Sequence, residues 1–275
     1  MIDQIVQKQL REQYNPEGSF LRKIQKSLLD ILVELDRICK ENGIPYWLDS
    51  GTLLGAERHG GFIPWDDDVD VCILRKDWKR LRNALKKNLR EPYKVHEVDS
   101  TSDYTHCWPR IVNEEITIHR MVKVGKEGDM EEKAENLWLD IFLQVNGSPR
   151  VARFVDLFYG RCFRRKYRVI NDGRMNYFLG VVLFPIAKMI VGAARACGKW
   201  FHPETFIHDY GTGFYSVRKK KDIFPLSLIE FEGYMLSSPV DIPSYLQRIY
   251  NTYSQLPPEE KRETHNILSV DYEKR

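Results

Sequence analysis

The chain has 275 residues, 43% hydrophobic and 29% charged, with a formal net charge of +3 at pH 7 and a pI of about 8.5. That is enough for one large domain or a catalytic domain with a smaller appendage; the composition argues against disorder, and the charge is too mild to indicate nucleic acid. Five cysteines without a CxxC or Cys/His cluster support neither a disulfide framework nor structural zinc, which fits a reducing cytoplasm, and the opening MIDQIVQKQLREQY lacks the apolar core of a signal peptide.

From Phe20 to Lys40, apolar residues at Leu21, Ile24, Leu28, Leu32, Leu35 and Ile38 follow helical spacing, and Asn42-Gly43 with Pro45 ends the helix. Ile44 to Leu48 reads as a strand, left by Asp49-Ser50-Gly51-Thr52. A glycine there lets backbone approach a ligand, and the amides of Ser50, Gly51 and Thr52 at a following helix start suit a phosphate, although a plain turn reads the same. Arg58-His59-Gly60-Gly61 reads as a glycine-rich turn, with Arg58 and His59 as candidate phosphate contacts.

Asp66 to Ile73 reads as a strand loaded with carboxylates at its entry. Successive strand side chains alternate, so Asp66, Asp68 and Asp70 share one face while Val69, Val71 and Ile73 form a buried one. Two carboxylates a few Å apart repel by roughly 4 kcal/mol at an effective dielectric near 20, and a shared proton or a divalent cation relieves this. With three carboxylates the cation is favoured, and an all-oxygen set suits Mg²⁺ or Mn²⁺. The bland alternative is a solvated acidic turn; a calcium loop lacks its Gly and Glu here.

Asp77 to Leu89 is an amphipathic helix with a basic outer face. Tyr93 to His96, Trp108 to Asn113 and Ile116 to Val124 read as strands, with Arg110 the notable basic residue among them. Asn136 to Val145 is a buried strand whose only acid is Asp140, a natural third metal ligand, or else a partner of some Arg or Lys. Between Arg150 and Trp200, eleven Lys/Arg face two Asp. The apolar Tyr177 to Ala187 stops at Lys188, too short for a membrane span. This pattern reads either as an interfacial helix on an anionic membrane or as a core helix with a basic neighbour. IFPLSLIEFEGYMLSS reads as a hairpin or strand pair, Asp241 caps a helix, and Pro257-Pro258 marks a loop and helix start. His265 is read first as a surface residue.

A strand, a Gly-Ser/Thr turn, an Asp-x-Asp strand and a later strand with one Asp resemble the nucleotidyltransferase superfamily. The wording YWLDSGTLLGAERHGGFIPWDDDVDV resembles the LicD family, which includes bacterial phosphocholine transferases and has fukutin-related ribitol-phosphate transferases as relatives. WLDIF (138–142), IFPL and FEGY (223–234) and YLQRIYNTYSQLPPEEKR (245–262) extend the likeness, while Glu57 departs from the usual GAVRH.

The resemblance implies an α+β fold, a mixed sheet flanked by helices. The change of composition after Gly147-Ser148-Pro149 divides the chain into a catalytic core (1–149), a basic helical insert (150–214) read as facing membrane or acceptor, and a segment completing the catalytic domain (215–275). The resemblance also implies metal-dependent transfer of a phospho-substituent, typically phosphocholine, from a CDP-activated donor to a glycan, teichoic acid or lipid-linked hydroxyl. Asp68, Asp70 and Asp140 would then hold Mg²⁺ or Mn²⁺ and act in catalysis. Ser50, Gly51, Thr52, Arg58, His59 and Arg110 would bind donor, and Tyr46, Trp47, Trp65 and Trp108 read first as core residues and otherwise as a box for a quaternary ammonium. Competing readings are an enzyme that leaves a nucleoside monophosphate on its acceptor and a catalytically silent membrane-docked adaptor.

Overall fold

The apolar stripe near the N-terminus builds the scaffold on which the rest is laid. The computed structural model describes residues 2–98, 106–124, 129–167, 173–264 and 267–272; His265 and Arg168 lie outside them. In it, α1 (Gln4–Tyr14) is capped by Asp3, and α2 (Phe20–Glu41) by Ser19, whose hydroxyl accepts the Arg22 amide. Leu28, Ile31, Leu32, Leu35 and Ile38 of α2 are fully buried, each stabilising by roughly 1.5–3 kcal/mol.

There follow β1 (Trp47–Leu48), α3 (Ser50–His59), β2 (Asp70–Leu74), α4 (Trp78–Asn88), β3 (Tyr93–His96), β4 (Arg110–Val124) and β5 (Asp129–Asn146). The helical pair α5 (Pro149–Tyr167) and α6 (Gly173–Phe201) comes next, then β6 (Thr205–His208), β7 (Arg218–Lys219) and α7 (Lys220–Ile223). The chain closes with β8 (Ser227–Phe231), β9 (Tyr234–Ser238), α8 (Ile242–Tyr250) and β10 (Ile267–Tyr272).

This is the expected α+β architecture: a mixed eight-stranded sheet and a separate β8–β9 hairpin among the described residues. The sheet's main path runs β1-β2-β5-β4-β10; β3 joins β4, and β6 joins β5 and β7. β2 and β5 are parallel, which sets Asp70 beside Asp140, and antiparallel β4 sets Arg110 opposite Asp140 from the other side. The long β5 therefore collects the charged residues at one level of the sheet.

Several boundaries differ from the sequence reading. Ladder pairing starts only at Asp70, because β1 offers two residues, Trp47 opposite Cys72 and Leu48 opposite Val71. Residues 66–69 run on without regular strand structure. The two short strands expected over 108–124 form one strand with a register shift between Asn113 and Thr117, where Asn113 Oδ1 accepts the Glu115 amide at 3.0 Å. Arg58 and His59 belong to the last turn of α3, closed by Gly60 in the left-handed region (φ +67°).

Lys188 does not interrupt α6, and Val181–Phe201 is long and apolar enough by length and composition to cross a membrane, contrary to the expectation from sequence. One lysine costs a continuous helix little when its stem lies along the surface, here with its ammonium 4.8 Å from the Phe184 ring. In the C-terminal part, Glu232 and Gly233 both take positive φ and close the expected hairpin. Asp241 caps α8 by accepting the Ser244 amide at 3.0 Å. The helix start expected after Pro257-Pro258 is a short 3₁₀ turn, Glu259–Lys261.

Candidate active site

Although residues 66–69 join no ladder, their side chains keep the alternation of extended chain. Asp66, Asp68 and Asp70 line a cavity of about 810 Å³ together with Ser50, Gly51 and Arg58. Asp67 is buried and turns to a neighbouring cavity of about 160 Å³, shared with Arg110, Trp138 and Asp140. Asp68 borders both spaces.

Three groups fix this acidic segment. Gln25 of α2 donates to the Asp66 carbonyl at 2.8 Å while its own oxygen accepts from Asn15 at 2.7 Å. Thr52 Oγ1 accepts the Asp70 amide at 2.8 Å, tying α3 to β2. Gly51 has no Cβ, and one added there would meet Asp66 Oδ2 at 2.7 Å. The start of α3 and the carboxylates approach this closely only because that atom is missing. Ser50 holds φ +47°, a region that costs a non-glycine residue roughly 1–3 kcal/mol and is met mostly where function demands it. The first amides of α3, which have no partner within the helix, thus border a carboxylate-lined space, an arrangement that suits a bridging cation and a phosphate together.

The electrostatics agree with a cation. Burial, then Asp68, Asp140, Asp49 and Asp66, push the Asp70 carboxyl well above the usual carboxylate range. Such a carboxyl ionises readily once a divalent ion is beside it, and an all-oxygen donor set suits Mg²⁺ or Mn²⁺. The residues present therefore fit that ion.

Behind the cavity lies a buried charge network that the sequence did not reveal. Asp49, fully buried, accepts from Arg218 Nη2 at 2.6 Å and Nε at 3.2 Å, and from the Tyr245 hydroxyl at 2.5 Å. His208 Nε2 stands 3.2 Å from Asp49 Oδ2. Burial alone would raise the Asp49 carboxyl, but Arg218, His208 and Tyr245 hold it well below its usual range. Asp49, Cys72 and His208 are close enough together to hold a metal, yet the Arg218 guanidinium already neutralises Asp49, and burial holds the Cys72 thiol well above its usual range. This cluster reads as a structural base that seats Ser50 and Gly51.

The other sequence candidates divide. Arg58 lines the large cavity and donates to the Tyr253 and Gln255 carbonyls at 3.2 Å each, so it also anchors the loop closing the cavity. His59 is not part of the lining. Its Nε2 accepts from Arg58 at 3.0 Å and its Nδ1 meets Gln7 at 2.6 Å, and burial with Arg58 beside it lowers its pKa to about 3. A neutral histidine with both nitrogens engaged inside the fold has nothing left for a phosphate.

Arg110 Nε donates to Asp140 Oδ1 at 2.6 Å, as does Trp108 Nε1 at 2.6 Å, while Trp138 Nε1 donates to Oδ2 at 3.1 Å. The alternative reading of Asp140, a carboxylate with an arginine partner, is realised, and Asp140 still borders the same space as Asp68. Tyr46 and Trp47 are core: the Tyr46 hydroxyl donates to Asp36 and the Trp47 indole to Tyr245. Trp65 lines the large cavity with the Arg262 guanidinium over its ring, and Trp108 packs against Phe142 and Phe214.

Sequence reasoning missed Gln25, Asp49, His208, Arg218 and Lys261. Arg218 and Lys261 sit in basic runs that look solvated, and the clue to Asp49 was only its place between a buried strand and a helix start.

Residues 43–124 match the family model described as LicD/FKTN/FKRP, nucleotidyltransferase domain. The chain is similar to the lipopolysaccharide cholinephosphotransferase LicD of Haemophilus influenzae, 27% identical over 263 residues that cover 90% of this chain and 96% of that protein. It is similar to human ribitol 5-phosphate transferase FKRP over 35 residues at 60% identity, 13% of this chain and 7% of that one. Mouse ribitol-5-phosphate transferase FKTN matches at 43% over 63 residues, 23% of this chain and 13% of its own length.

Proposed function

We propose that the chain, whose residues 43–124 match the LicD/FKTN/FKRP family model, moves phosphocholine from a CDP-activated donor to a hydroxyl of a glycan or lipid-linked glycan, with Mg²⁺ or Mn²⁺ bound. The single observation that carries this reading is the large cavity in which Asp66, Asp68 and Asp70 stand against the N-terminus of α3, with Arg58, Arg218 and Lys261 also in its wall. Its volume of about 810 Å³ lies within the range of small-molecule sites, roughly 300–1,000 Å³. The similarity to a lipopolysaccharide cholinephosphotransferase along nearly its whole length supports the choice of phosphocholine and of a glycan acceptor.

Asp68 and Asp70 would hold the divalent ion, with Asp66 and Asp140 beside them. When bound, that ion supplies charge neutralisation on the pyrophosphate and the departing CMP. The amides of Gly51 and Thr52 receive a donor phosphate, and Arg58 and Lys261, which line the same cavity, add positive charge. The acceptor oxygen attacks the choline-bearing phosphorus, the bond from that phosphorus to the CMP oxygen breaks, and the hydroxyl proton passes to a carboxylate. Asp140 suits that proton, because its Oδ2 carries a single donor, Trp138, while Oδ1 is held by Arg110 and Trp108. In phosphoryl transfer the protein mostly positions groups and stabilises charge, which such a frame provides.

The test begins with a thermal-shift screen in Mg²⁺ across CDP-choline, CDP-ribitol, CDP-glycerol and nucleoside triphosphates, then mass spectrometry of the product. The expected result is selective stabilisation by CDP-choline, release of CMP and an acceptor heavier by phosphocholine. An acceptor carrying a nucleotide would instead assign the chemistry to nucleotidyl transfer.

A further inference from the structure

The α5–α6 pair carries a surface that phosphoryl transfer does not use. One flank of α6 turns inward through Phe184, Ala187 and Val191, and Arg195 pairs with Asp209 at 2.9 Å. The opposite flank repeats Val182, Ile186, Met189, Ile190, Trp200 and Phe201 at helical spacing, all exposed, Met189 at 74% and Trp200 at 81%. A helix that faces only water carries polar residues on that flank.

On α5, Phe154 and Leu157 are exposed between the exposed Arg153 and Arg161. Val151 of α5 shares one small recess of about 140 Å³ with Cys197 and Phe201 of α6, so the two apolar flanks meet. A contiguous apolar patch on this scale marks an interaction surface. Among the described side chains of the two helices, Arg150, Arg153, Arg161, Lys188 and Lys199 are exposed, so the pair presents a basic surface.

We propose that the outer face of α5–α6 docks on an anionic lipid bilayer, lying in its plane with Met189, Phe154 and Trp200 in the boundary region and the basic side chains on lipid phosphates. Length and composition would let α6 span a membrane, but crossing would strip it from α5 and β5 and bury the Arg195–Asp209 pair. An in-plane helix keeps those contacts and buries only the exposed flank. A second copy of the chain fits the face less well, because it would set one strongly basic surface against another, whereas anionic lipid complements it. Docking also places the reaction at the membrane. The Arg153 guanidinium lies 5.4 Å from the Tyr215 ring, and the flanking Phe214 and Ser216 line the large cavity.

The full chain is floated with phosphatidylglycerol–phosphatidylcholine vesicles and with pure phosphatidylcholine vesicles, alongside light scattering of the protein alone. Wild type should float with the anionic vesicles and not the neutral ones, lose binding as salt rises, and come off in alkaline carbonate. Phe154→Glu with Met189→Glu should weaken binding by about tenfold or more with the melting temperature unchanged, since both side chains face solvent. Arg161→Glu with Lys188→Glu, which leaves the apolar flank whole, should abolish the preference for anionic lipid and keeps the test alive if the first variant misfolds. Wild type that stays at the bottom, charge-reversed protein that floats as well as wild type, resistance to carbonate, or a dimer that Phe154→Glu and Met189→Glu break into monomers would each overturn the assignment.

Discussion

Arg218 grips Asp49 with two nitrogens, Nη2 to Oδ2 at 2.6 Å and Nε to Oδ1 at 3.2 Å, across 169 residues of sequence and with both side chains buried. The pair locks β7 to the turn that starts α3, so the C-terminal third of the chain holds the floor of the site in place. Removing one member of a buried pair strands the other charge, which costs about 3–5 kcal/mol. Arg218→Met should therefore lower unfolding free energy by about that much in urea titrations. Adding Asp49→Asn should recover part of the loss, and strict additivity would show that the two charges are not coupled.

Asp68 and Asp70 are assigned to charge compensation at the donor phosphates and not to stability. Asp68→Asn or Asp70→Asn should reduce turnover by about a thousandfold, on the order of losing one strong electrostatic contact to the transition state. Without metal, Asp70→Asn should leave the melting temperature equal or higher, because it removes a half-buried carboxyl pressed by Asp68, Asp140, Asp49 and Asp66. Retained activity in the double variant would end the assignment.

Mg²⁺ should raise the melting temperature of the free protein, since an ion that binds only the folded form stabilises it by mass action. The same ion should lose this effect in the Asp68→Asn, Asp70→Asn variant. EDTA should stop turnover and Mg²⁺ or Mn²⁺ restore it, and full activity in EDTA would contradict the metal role.

Stability should fall as pH drops below about 6.5, the usual histidine value. Burial, with Arg58 beside one and Arg218 beside the other, holds His59 at about 3 and His208 at about 4. Both are neutral in the folded chain, whereas the unfolded chain takes up protons first. Their contribution is therefore complete above about 6.5 and drains toward pH 4 and 3, by about 1.4 kcal/mol per pH unit for each histidine. The raised Asp70 carboxyl acts in the opposite sense, gaining protons in the folded state as pH falls, so the slope should steepen in Asp70→Asn. Urea midpoints between pH 7.5 and pH 4.5 read all of this, and a flat profile would contradict it.

Two glycines of α3 should separate function from folding. At Gly51 an added Cβ meets only the end of the Asp66 side chain, so Gly51→Ala should leave stability within about 1 kcal/mol and reduce turnover by displacing that carboxylate. At Gly55 the added atom would collide with the Gly61 carbonyl, a backbone atom that cannot step aside, so Gly55→Ala should destabilise by about 1–3 kcal/mol. Melting temperatures and initial rates of the two variants give the comparison.

What the sequence alone determined was local. The spacing of Leu28, Leu32 and Leu35 specified α2, Asp241 announced its cap, Glu232-Gly233 closed a hairpin, and the alternation of Asp66, Asp68 and Asp70 put three carboxylates into one cavity. Each depends on neighbours within a few residues, where backbone geometry decides the outcome. Tertiary structure alone decided that Asp140 receives Arg110, that His59 is spent inside the fold, that Gln25 holds the acidic segment and that Arg218 answers Asp49. It also decided which flank of α6 faces outward. A buried charge must have a partner, but nothing in its own surroundings in the sequence says which distant residue will supply it. Periodicity likewise predicts a helix without saying what covers its faces.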